Sequence, residues 1–142
     1  MAVKKHKLDV AIEEDFCLLG LVADEPDYKL CWRINQALEL AFAKLDDLEL
    51  YHRKLKEDQV FSNFVYRDED AMVTYRIIRN RSEQGFFLDE LKNLDYLVHI
   101  QGEIITERIN AFMKAIGALD PVRMCVPVDL SKVRNKDRLL LW

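Results

Sequence analysis

The chain has 142 residues, with 21 basic and 25 acidic side chains and a formal charge of −4, a length that suits one domain spanning 1–142. Half of its residues are hydrophobic and only seven are Gly or Pro, which excludes disordered, collagen-like and low-complexity chains. No run approaches the ~18–20 apolar residues of a membrane span, and the start Met1–Lys7 leads into Leu8–Glu14 rather than a signal-peptide core, so a soluble, cytoplasmic protein is expected.

Phe16-Cys17-Leu18-Leu19-Gly20-Leu21-Val22 is a short, continuous apolar run, which predicts a strand covered on both faces. Residues 8–12 read as an earlier strand or as the first half of this one, broken at Glu13-Glu14-Asp15. Asp24-Glu25-Pro26-Asp27 supplies turn chemistry, and residues 28–43 read as the first helix. Lys29, Arg33, Gln36 and Glu39 mark its polar stripe, opposite Leu30, Ile34, Ala37, Leu38 and Ala41. Tyr28, Cys31, Trp32 and Phe42 widen the apolar arc, which predicts deep burial or a second partner.

Three strands follow at 48–53, 60–66 and 71–78, each rich in β-branched or aromatic residues and bounded by polar turns. Another strand is predicted at Asp95–Ile100. A second helix follows at about 103–116, with Ile105, Ile109, Phe112 and Ile116 on one face and Gly117 as its C′ residue. Val122–Leu130 reads as a last strand, confined by Pro127 to an edge or bulge. Leu139–Trp142 is too apolar for a free solvated end. The fold class is therefore α+β: an antiparallel sheet of about five or six strands with two helices packed on one face.

Most catalytic and metal motifs are missing. Cys17, Cys31 and Cys125 have no zinc spacing and sit among apolar neighbours, as small core hydrophobes do. The four glycines stand too far apart for a phosphate loop, and none of Ser62, Ser82 and Ser131 occupies a nucleophile elbow. His52 and His99 read as strand residues bonded to their neighbours, so no metal and no cofactor are expected. Asp46-Asp47-Glu49 and Asp68-Glu69-Asp70 look like turn residues, and nothing selects a catalytic pair among the 25 acids.

Charge is segregated along the chain. Glu13 to Asp27 carries six acids and no base, whereas 121–142 carries a net of +3 from Arg123, Lys132, Arg134, Lys136 and Arg138 against Asp129 and Asp137. Opposite patches on one chain can pair across a symmetric interface, although solvated surface is the ordinary role of such runs. Arg76, Arg79 and Arg81 form a second basic group near Tyr75 and Phe86, a plausible stacking and phosphate neighbourhood. The acidic balance of the whole chain argues against nucleic acid.

At 88–96 the chain reads Leu88-Asp89-Glu90-Leu91-Lys92-Asn93-Leu94-Asp95-Tyr96, which resembles the motif of the bacterial IPExxxVDY family. Glu90, Asp95 and Tyr96 match at the right spacing, Leu88 and Leu94 are conservative replacements, and Asp89 stands where the family has Pro. Phe16–Gly20, Tyr28–Asn35 and Asn80-Arg81-Ser82 are similar in style, which extends the likeness over most of the chain. The resemblance implies no known activity, cofactor or catalytic residue. Within the motif, Leu88, Leu91 and Leu94 recur every three residues, so one helical turn capped by Asp89 would put them on one face.

The leading expectation is a non-enzymatic protein–protein interaction module acting as a homodimer, with an unidentified protein partner. Trp32 is its candidate anchor, and Glu90 and Tyr96 are candidate binding residues. The alternative is a small-molecule or RNA-binding module using Arg76, Arg79 and Arg81. An enzyme with convergent carboxylates comes third.

Overall fold

The computed structural model describes residues 16–141. The predicted strand at 8–12, the acids Glu13–Asp15 and the terminal Trp142 lie outside them. β1 (Phe16–Ala23) carries the first apolar run and is buried almost throughout. α1 (Asp27–Leu38) ends short of the predicted 43 because Glu39 adopts left-handed backbone, with φ 55°. Asn35 makes the turn. Its amide donates to the Phe42 carbonyl at 3.0 Å and its Oδ1 accepts the Phe42 N–H at 2.8 Å, so the chain leaves the helix already aimed into β2 (Ala43–His52).

β2, β3 (Glu57–Asp68) and β4 (Val73–Arg79) form the predicted meander. A two-residue ladder of β5 (Arg81–Ser82) and β6 (Gly85–Phe86) and a 3-10 turn at Asp89–Leu91 lead to β7 (Tyr96–Gly102). α2 (Thr106–Gly117) starts later than the predicted 103 and leaves Ile105 as its half-exposed N-cap. Gly117 is the last helical residue rather than a left-handed C′. β8 (Val122–Pro127) ends at its proline and is an edge strand with an irregular register against β1.

The main sheet has six strands in the order β2-β3-β4-β7-β1-β8, and each of its neighbouring pairs is antiparallel. Period-2 alternation sorts its side chains into two cores. On one face Leu19, Leu21, Tyr75, Ile77 and Val98 meet Leu30 and Ile34 of α1 together with Ile109, Phe112 and Ile116 of α2. Burying each large aliphatic side chain contributes roughly 1.5–3 kcal/mol, which is what holds helices of only 12 residues in place.

On the other face Phe16, Leu18, Ile78 and Leu97 meet Val128, Leu130, Val133 and Leu139. These last four belong to a strap, residues 128–141, that contains only two 3-10 turns, Leu130–Lys132 and Lys136–Leu139. Gly20 lies under Leu94, and a Cβ there would come within 2.4 Å of the leucine Cδ1. Among the described residues no helix is long and apolar enough to cross a membrane.

Candidate functional site

The segment 88–96 is a set of clamps. Leu88 and Leu94 are buried and Leu91 is half-buried, and the Leu91 and Leu94 N–H groups bond to the carbonyls three residues back at 3.1 and 3.0 Å. The threefold spacing therefore sits on a 3-10 turn. Asp89 does not cap it by a side-chain bond; its carboxylate lies 3.7 Å from His52 Nε2.

Glu90, Asp95 and Tyr96 each capture a distant segment. Glu90 accepts the Arg134 backbone N–H and faces the Arg134 guanidinium, which ties the turn to the strap. Burial raises the Glu90 carboxyl, but the strap N–H groups and Arg134 outweigh it, and the net shift is downward. Asp95 accepts the Ala23 N–H at 3.0 Å, and the Tyr96 hydroxyl donates to the Glu25 carbonyl at 2.5 Å. Glu90 and Tyr96 therefore present little free surface: Tyr96 is buried, and the Glu90 side chain is 13% exposed.

The centre of these clamps is Asn80, fully buried at the end of β4. Its amide donates to the Leu91 and Leu94 carbonyls at 2.8 and 3.0 Å, and its Oδ1 accepts the Leu88 N–H at 2.9 Å. It is not among the site residues that the sequence predicts. A side chain that can both donate and accept, set just before a polar turn, was the available signal.

The basic group divides. Arg76 leaves the strap-covered face, where it donates to Asn63 Oδ1 and to the Leu141 carbonyl at 3.3 and 3.2 Å. Burial and the neighbouring Arg67 push its guanidinium below the usual value. Arg79, three positions on, leaves the opposite face. Arg81 is half-exposed, 3.6 Å from Asp95 and stacked over Phe86. Three arginines on two faces do not make one phosphate track.

Trp32 is 59% exposed and Tyr28, one turn earlier, is 66% exposed. The buried stripe of α1 is only Leu30, Cys31 and Ile34, so the apolar arc is narrower than its composition implied. Beside Trp32 lies a recess of about 410 Å³, closed on its other side by Leu119 and Pro121. The surrounding charge is partly paired within the chain, Glu25 with Arg33 at 2.7 Å and Asp24 with Arg123.

A second cleft of about 570 Å³ separates the β2–β3 hairpin from the strap and holds the His52–Asp89 pair. His52 Nδ1 accepts the Leu55 N–H at 3.1 Å, which leaves Nε2 as the protonated nitrogen facing Asp89. No serine, threonine or cysteine lines this cleft among the described residues, so the pair has no alcohol or thiol to activate. The thiols of Cys17, Cys31 and Cys125 are each pushed up to about 12 by burial, where thiolate chemistry is suppressed. Comparison of the chain with family models, curated proteins and solved structures found no match.

Proposed function

We propose that the protein is a non-enzymatic interaction module that acts as a homodimer through the outer face of α1. The observation that carries this reading is Trp32, a large aromatic 59% exposed on a regular helix. Aromatic side chains at the rim of a recess are the usual anchors of protein interfaces. Lys29, three positions before Trp32, adds a cation to this face. The likeness of 88–96 to the IPExxxVDY motif, and with it a bacterial origin, agrees with this reading because that family carries no known catalytic residue. A cytoplasmic location is supported by three free cysteines.

Light scattering at micromolar concentration tests the proposal. The wild-type protein is expected at twice the chain mass, and Tyr28→Ser combined with Trp32→Ser is expected at the monomer mass with its melting temperature retained. A wild-type monomer, or a double variant that remains dimeric, overturns it.

A further inference from the structure

The helices leave one end of their sheet face open, at the outer parts of β3 and β4, where Val60 is 38% exposed. A recess of about 260 Å³ lies there, lined by Val60, Ser62, Arg79 and Arg81. Ser62 and Arg79 sit on adjacent strands one step beyond the Asn63–Ile78 register pair, so their side chains leave the same face as Phe64. Arg81 follows on β5, beside β3.

The Ser62 hydroxyl is buried and has no hydrogen-bond partner among the described residues. A buried hydroxyl in that state is costly, and proteins ordinarily give it a water, an ion or a ligand. Beside it, Arg79 makes no hydrogen bond or ion pair among the described residues. Arg81 is held by Asp95 at 3.6 Å and lies over the Phe86 ring, with the rest of its guanidinium edge left for a ligand. Of the two carboxylates that also line the recess, Asp47 is taken by Lys44 at 2.6 Å, and Glu83 is the one opposing charge left over.

We propose that this recess binds a phosphate-type oxyanion, free or as the terminal group of a small molecule. Two guanidinium forks offer parallel N–H donors that match such oxygens, and the Ser62 hydroxyl in the same lining supplies a further donor. A planar carboxylate, with two oxygens, would satisfy one fork and leave the hydroxyl unpaired. The volume falls below the ~300–1,000 Å³ of pockets that enclose drug-sized ligands, so it admits a phosphoryl group on a short stem rather than a whole nucleotide. This site is independent of the α1 face, and either proposal can fail without the other.

Calorimetric titration at fixed ionic strength, with inorganic phosphate and with glycerol phosphate as probes and chloride as the control, tests it. Wild-type protein is expected to bind phosphate or its monoester and not chloride; tighter binding of the monoester identifies a phosphorylated small molecule, and tighter binding of inorganic phosphate identifies the free ion. Ser62→Ala is expected to weaken binding about tenfold while the unliganded protein melts at the same or a higher temperature. Arg79→Gln is expected to abolish binding, and Glu83→Gln to strengthen it. Wild-type protein with no heat above the chloride control overturns the proposal, as does Ser62→Ala or Arg79→Gln binding like wild type.

Discussion

The two faces of the sheet are covered in different ways. One carries two helices, whose interior backbone groups are satisfied within each helix, so that the contact with the sheet can be purely apolar. The other carries the strap, whose irregular backbone leaves carbonyls and amides that must find partners elsewhere. The sheet side provides them. His99 Nε2 donates to the Leu139 carbonyl at 2.8 Å, Arg76 reaches the Leu141 carbonyl, and Glu90 takes the Arg134 N–H. In return Arg138 of the strap donates to the Phe86 and Phe87 carbonyls and to the buried Gln59 at 2.7 Å, with its guanidinium over Phe61 and Phe87. Burial by irregular chain therefore requires polar and charged side chains inside the core, and the helix-covered face has no such need.

The contrast predicts global failure on one face and local failure on the other. Ile34→Ala, on the helix side, should cost about 2–5 kcal/mol and lower the stability of the whole domain, as read by urea melts. Amide exchange in that variant should accelerate across the sheet together. If only α1 loosened, the two faces would not differ as described.

The strap side should respond to acid. His99 is buried against Phe16, and burial, together with the Arg76 cation on the neighbouring strand, lowers its pKa from 6.5 to about 4, against the opposing pull of the Leu139 carbonyl. The unfolded chain takes up a proton at a higher pH than the folded one does. Stability from this group is therefore complete above pH 6.5 and is lost as pH falls from there towards 4, by about 3 kcal/mol. Hydrogen exchange should show residues 128–141 losing protection first in that window. His99→Gln, which keeps a donor and does not titrate, should flatten the slope, and a variant as pH-sensitive as wild type would refute the assignment.

The smallest effect is expected at the motif. Glu90→Ala should cost about 1–2 kcal/mol, because strap N–H groups lose their acceptor but lie near solvent. Leu91→Ala should cost less than a full core truncation, since Leu91 is only half-buried. Urea melts that leave Glu90→Ala within about 0.5 kcal/mol of wild type would return that carboxylate to a surface role.

Periodicity alone located most elements. The apolar run of β1, the meander and the stripe Ile109-Phe112-Ile116 of α2 were all legible, because burial on one face imposes a spacing that survives in a single sequence. The bounds of α1 were not, since its end depends on Asn35 reaching Phe42, seven positions away. Trp32 could be named as an anchor from its type, but whether it faces core or solvent depended on which three residues of α1 the sheet accepted.

The candidate sites were less legible for the same reason. Glu90 and Tyr96 looked like presented groups, and only the return of the strap and of the β1–α1 corner turned both inward. Arg76, Arg79 and Arg81 looked like one group, until strand alternation sent Arg76 and Arg79 to opposite faces. What the sequence by itself determined is the class α+β, the antiparallel meander and the apolar set that forms the cores, all consequences of local period and turn chemistry. What only the tertiary structure decided is the insertion of β7 between β4 and β1, the strap across the second face and the exposure of Trp32. Each of these joins residues far apart in the chain, and no local pattern records which distant segment will satisfy a given backbone group.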